Sequence, residues 1–174
     1  MGTDIQAPSQ QTIQVVLDSR ITWNPDLDLQ RQSLRRLFRA GQRGAEAVRS
    51  LDRLKVQLTA FSKRIEELDD EHPGRALTPA VDSLSSRVDT LRESLARKDS
   101  DRPGSEAVLS KIQGIYGQIA RSTNAPTAPQ TEWAEAFLSE LDAVLTEVSA
   151  VMVAEADRLN ERVREAGIPA VGGG

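Results

Sequence analysis

From Leu27 to Leu68 the apolar residues return on three- and four-residue steps or their sum: Leu27, Leu34, Leu37 with Phe38, Ala45, Val48, Leu51, Leu58, Phe61, Ile65 and Leu68. This is the period of one face of an α-helix. A stripe of this extent predicts a rod of ~70 Å at 1.5 Å per residue. Asn24-Pro25-Asp26 supplies its start, because an Asn side chain satisfies an orphan amide and proline fits the first helical position, where no N–H is needed. His72-Pro73-Gly74 supplies its stop. Gly41 and Gly44 lie near the stripe, and each costs about 1 kcal/mol against alanine in a helix. Close approach of a neighbouring helix would account for them; a local kink is the rival account.

Three more helices follow. Thr78-Pro79 opens the second, with Val81, Leu84, Val88, Leu91 and Leu95 on one face and Arg97-Lys98 at its end, where cations suit the dipole. The segment 99–104 reads as a turn, and Val108, Ile112, Ile115 with Tyr116, and Ile119 form the inner face of the third. Thr127-Ala128-Pro129-Gln130 has the form of a capping box. It opens a fourth helix with Ala134, Phe137 and Leu138, Leu141, Leu145, Val148, Met152, Leu159 and Val163 inward, closed by Gly167 and Pro169. The fourth helix should span ~58 Å and the second and third ~30 Å each.

Short turns make successive helices antiparallel. The expected fold is therefore all-α, an antiparallel up-down bundle of four helices, two long and two short. Helix 1 is expected to run up, helix 2 to come halfway down, helix 3 to return beside it and helix 4 to descend the whole length. One half of the molecule would then be four helices thick, and the other only helices 1 and 4. Two helices cannot bury their stripes, so a strand, a second copy or a neighbouring domain would have to cover that half. Residues 1–11 read as a linker. Residues 12–18 are β-branched and roughly alternating, which makes 12–20 an orphan extended strand. The bundle covers 21–171, with 172–174 a flexible tail.

Composition narrows the chemistry. There is no cysteine and one histidine, which removes disulfides, thiolate sites, most zinc sites and His-carboxylate di-iron centres. Charged residues at 28% and hydrophobic residues at 39% suit a folded chain, and 3% aromatics argue against a β-sandwich or barrel. No apolar run approaches the ~20 residues that span a bilayer, and the first residues have no signal-peptide core. No phosphate loop, dinucleotide fingerprint or nucleophile elbow occurs. His72 reads as a solvated turn histidine. No catalytic, cofactor-binding or metal-binding residue is assigned, no cofactor is expected, and the chain is read as non-enzymatic.

Charge is more informative. Between residues 31 and 55, Arg31, Arg35, Arg36, Arg39, Arg43, Arg49, Arg53 and Lys55 face only Glu46 and Asp52. Between 131 and 157, seven carboxylates meet no Lys or Arg. The plain reading is complementarity between two neighbouring helices. The sharper one is docking of an anionic partner on Arg31, Arg35, Arg36, Arg39 and Arg43, with Trp23 and Trp133 as anchors, since tryptophan is enriched in hot spots. Nucleic acid is not expected: net charge is −4, and the basic segment's one aromatic, Phe38, is assigned to the apolar face.

Val15-Val16-Leu17-Asp18-Ser19-Arg20, followed by Asp28-Leu29-Gln30, is similar to a segment near the C-terminus of bacterial sortilin-type, BNR-repeat β-propeller proteins of glycosyl-hydrolase-like type. Ile112-Gln113-Gly114-Ile115-Tyr116-Gly117, Ala125-Pro126-Thr127 with Gln130, and Ala166-Gly167-Ile168-Pro169 match in the same order, over about residues 12–171. Ser19 stands where the family usually has proline. The resemblance implies the C-terminal helical bundle of a larger exported protein. The strand would be the last of an upstream immunoglobulin-like module. The partners would be neighbouring domains or a second copy, with no membrane insertion. No catalytic residue carries over, because the propeller's repeats are not in this chain. The alternative is a free-standing helical dimerisation or adaptor protein that uses the basic face of helix 1.

Overall fold

The computed structural model describes residues 24–96 and 107–167, the side chains of 154–156 excepted. The expected strand at 12–18, Trp23, the linker, the turn at 99–104 and the tail lie outside the described residues. The elements in chain order are α1 (Pro25–Glu66), a 3₁₀ turn (Pro73–Leu77), α2 (Thr78–Leu95), α3 (Val108–Ala120), α4 (Ala128–Ala150), a π-turn (Val151–Glu155) and α5 (Ala156–Glu165). The fold is an all-α helical bundle. Asn24 Oδ1 accepts from the Asp26 amide at 2.9 Å, and the Thr127–Gln130 capping box forms in both directions. Gly167 takes φ +69°, the left-handed closing position that glycine enters without strain. Thr78 does not cap α2: its hydroxyl donates to the Arg75 carbonyl at 3.0 Å, since the 3₁₀ turn runs straight into the helix. His72 Nδ1 accepts from the Gly74 amide at 3.0 Å and starts that turn.

The buried face of α1 is stricter than its apolar pattern. Gln30, Leu37, Gly44, Leu51, Leu58 and Ile65 follow at intervals of seven, and so do Ala40, Ala47, Leu54 and Phe61. This is the period of a coiled-coil seam. Leu27 and Phe38, read above as part of the stripe, are 37% and 57% exposed.

Helix 3 does not return. Asp52 pairs with Arg92 at 2.7 Å and Lys55 with Asp89 at 2.5 Å. Farther down the same rod, Gly44 meets Leu109, and Gln30 Nε2 donates to the Ile119 carbonyl at 2.8 Å. Numbers fall along both α2 and α3 as they rise along α1, so both run antiparallel to it, α3 taking over one level below α2. The fourth rod, expected to descend against α1, instead rises with it, as Arg36–Glu135 and Arg43–Asp142 show, because α2 and α3 both run down and leave the chain at the lower end where α4 begins. The described bundle is three helices thick throughout, with α2 and α3 sharing one side. The expected half of only two helices, in need of outside cover, is corrected: α3 covers it. The physical reason is that α1's buried repeat runs unbroken to Gln30, and a returning α3 would have left its lower part in water.

Size grades along the core. Where α3 packs, α1 offers Gln30 and Leu37 and then the small Ala40, Gly44 and Ala47; where α2 packs, it offers only large residues, Leu51, Leu54, Leu58, Phe61 and Ile65. Side chains bind the ends as well. Gln30 donates to the carbonyls of Ile119 and Ser122 at the end of α3. Arg75 donates to the carbonyls of Glu66 at 3.3 Å and Leu68 at 2.6 Å beyond α1. Both satisfy acceptors that a helix terminus leaves open. No helix among the described residues is long and apolar enough to cross a membrane.

Two measurements check this packing. A side chain at Gly44 would run into Leu109, whose Cγ lies 3.2 Å from the Cβ position, whereas nothing lies within 4 Å of that position at Gly41. Gly44→Leu is expected to lose about 1–3 kcal/mol in urea unfolding through overpacking, and Gly41→Ala to gain about 0.5–1 kcal/mol; reversed signs would refute the assignment. Spin labels at Glu66 and Arg121 are expected roughly 50 Å apart from the helical rise. A pair within ~25 Å would mean that α3 turns back.

Candidate interaction surface

The seam between α1 and α2 and the seam between α1 and α3 use equivalent positions of one helix in opposite ways. Against α2 these positions carry Asp52 and Lys55, which pair with Arg92 and Asp89, and Lys55 Nζ also donates to Ser85 Oγ at 2.7 Å. One to three heptads earlier, they carry Ala45 and Phe38 in the first position and Val48, Gly41 and Leu34 in the second. Among the described residues, no ion pair crosses this stretch to seal it. The result is a groove of about 430 Å³ floored by Leu37, Ala45, Leu109 and Ile112, with Phe38 and Tyr116 on its walls. Gly41 keeps it open, since its absent side chain would have entered the space.

Phe38 and Tyr116 also line a second section of about 460 Å³, where Leu34 forms the floor and Arg31, Arg35 and Arg39 the rim. The two sections adjoin at Phe38 and Tyr116, the first apolar toward Ala45 and the second cationic toward Arg31. Tyr116 is half-buried rather than enclosed. No carboxylate lines either section.

The arginine stripe divides. Arg36 makes two bonds to Glu135, at 2.6 and 3.0 Å, and Arg43 meets Asp142 at 3.0 Å. Seven residues apart on both helices, these pairs are the complementarity of basic α1 and acidic α4. Arg31 pairs with Asp28 at 2.8 Å on its own helix. Arg35 and Arg39 have no ion pair or hydrogen bond among the described residues. Five arginines of one sequence cluster thus divide: Arg36 and Arg43 tie α1 to α4, while Arg31, paired on its own helix, stands at the groove rim with the unpaired Arg35 and Arg39.

Trp133 stands elsewhere. It is 52% exposed on α4, in the seam with α3, beside Gly114, Gln118 and Phe137. Lys111 stands 5.9 Å over the Phe137 ring and bonds Glu140 at 2.8 Å. The structure does not bring Trp133 together with Arg35 and Arg39. Phe38, Tyr116 and the open Gly41 were not singled out in the sequence as binding residues. The available signal was an excess of apolar residues outside the two buried heptad positions, between Leu34 and Ala45. Among the described residues, no three His, Asp or Glu side chains converge.

Comparison with protein-family models, with curated proteins and with solved structures finds no match to this chain.

The Arg36 hydrogen bond holds the Glu135 carboxyl below the usual carboxylate range, and the same bond raises Arg36. Both side chains are more than half exposed, so the pair is worth about 0–1 kcal/mol. Because the folded value is depressed, its stabilisation is complete above the ordinary carboxylate range and is lost as pH falls through Glu135's lowered value. Carbon-detected titration should place Glu135 below the ordinary glutamate value, and Arg36→Gln should move it back up. An unshifted Glu135 would remove the pair from solution.

Proposed function

We propose that this chain is a non-catalytic helical module that binds another polypeptide through the groove between α1 and α3. One observation carries the reading: at matching positions α1 is polar and ion-paired against α2, but apolar and open against α3. An apolar floor with exposed aromatics and a charged rim is the anatomy of a protein interface. The ordered motifs in residues 12–171 support placing such a module at the C-terminus of a larger exported BNR-repeat propeller protein, where the occupant would be a neighbouring domain. Cover for a bare half of the bundle no longer supports that placement, because α3 fills it. The two unpaired guanidinium groups favour a second reading, a free-standing adaptor or dimerisation protein that uses the same basic face.

Capture with the full chain tests the groove. Phe38→Asp and the double variant Arg35→Glu/Arg39→Glu alter exposed positions, and Arg64→Glu, exposed at the far end of α1, is the control. A partner retained by wild type and Arg64→Glu should fall at least tenfold on Phe38→Asp. Equal retention by Phe38→Asp would sink the proposal. Sedimentation separates a self-partner, at twice the 19.0 kDa of one chain, from a different one.

A further inference from the structure

We infer that the occupant of the α1–α3 groove is an amphipathic helix with two carboxylates one turn apart, laid along the bundle as a fourth helix. The inference rests on the reading of that groove as a docking surface and adds the chemistry of what docks.

The first argument is main-chain accounting. Both walls are α-helices, whose amides and carbonyls are bonded within their own ladders. An extended peptide laid on them would find no backbone partner, and each buried unpaired group is costly. A helix brings its own hydrogen bonds and offers only side chains, the mode in which apolar anchors at i, i+3, i+4 and i+7 enter a groove. The second argument is length. The groove runs from the level of Gln30 to that of Ala45, about 22 Å at 1.5 Å per residue, or about four turns.

The third argument is charge. Arg35 and Arg39 are four residues apart, so their guanidinium groups repeat at one helical turn along the rim, and both lack partners among the described residues. The α1 carboxylates on either side are Asp28, seven residues before Arg35 and engaged by Arg31, and Glu46, seven residues after Arg39. An occupant with Asp or Glu at i and i+4 on its flank would meet both cations while its apolar face covers Phe38, Ala45, Leu109 and Tyr116. A nucleic acid would satisfy the cations but leave that floor against hydrated phosphate.

The test is a display library of 16-residue helical peptides panned on the full chain, with Phe38→Asp for counter-selection. Enriched peptides should carry apolar residues at i, i+3, i+4 and i+7 and acidic residues one turn apart, and should be helical when bound by NMR. Arg35→Glu/Arg39→Glu should weaken them at least tenfold, and replacing their acidic residues with Lys should restore binding to that variant. Circular dichroism and melting confirm that the variants fold. If Phe38-dependent peptides bind the double variant as tightly as wild type, or bind extended, the acidic helix is wrong and the docking groove stands. If no peptide depends on Phe38, the docking reading falls with it. A dimer in sedimentation that Phe38→Asp dissolves would make a second copy the occupant and overturn the inference.

Discussion

The rest of the structure follows from keeping one face of α1 out of water along its whole length. Six positions from Gln30 to Ile65 recur at intervals of seven, and at 1.5 Å per residue the helix of 42 residues measures about 63 Å. No other described helix is that long. The long return rod, α4 with α5, lies along one side of it, and the two short helices must share the other. Burying a Leu, Ile or Phe is worth about 1.5–3 kcal/mol. Leaving the lower stretch of the seam uncovered would forfeit more than any loop geometry could recover, which is why α3 continues below α2.

That division leaves a mark. The lower seam is built from Ala40, Gly44 and Ala47, so α3 sits close, with Leu109 against the bare backbone of Gly44. Larger residues, Leu51, Leu54, Leu58 and Phe61, fill the seam with α2 in the upper half. The flanking positions match this difference. In the upper half they hold ion pairs that close the seam; in the lower half they hold Leu34, Phe38, Gly41 and Ala45, which no described element covers. The groove is therefore confined to one half of one seam, beside Arg35 and Arg39, which have no ion pair or hydrogen bond among the described residues.

The electrostatic pattern was legible in part. The basic stretch of α1 and the acidic stretch of α4 were visible as blocks, and the structure pairs them through Arg36–Glu135 and Arg43–Asp142. Which arginines were thus consumed could not be read from a stripe at four-residue spacing. The choice depends on the azimuth of α4 around α1, which takes Arg36 and Arg43 and leaves Arg35 and Arg39 facing away. Phe38 was misplaced for the same reason. At 3.6 residues per turn it adjoins Leu37 in any apolar stripe, and only the position of α3 turns one inward and the other out.

Local signals decided what local chemistry can decide. Asn24, the Thr127–Gln130 box and Gly167 act through hydrogen bonds or backbone angles within a few residues, so the starts of α1 and α4 and the stop after α5 were set by sequence alone, as was the all-α class. The direction of α3 was not. A loop between two helices is compatible with reversal or continuation, and the outcome lies in which leaves less of α1's seam in water. That is a comparison of areas buried between distant segments. It exists only in the tertiary structure, and it also decides which apolar residues become core and which become the groove.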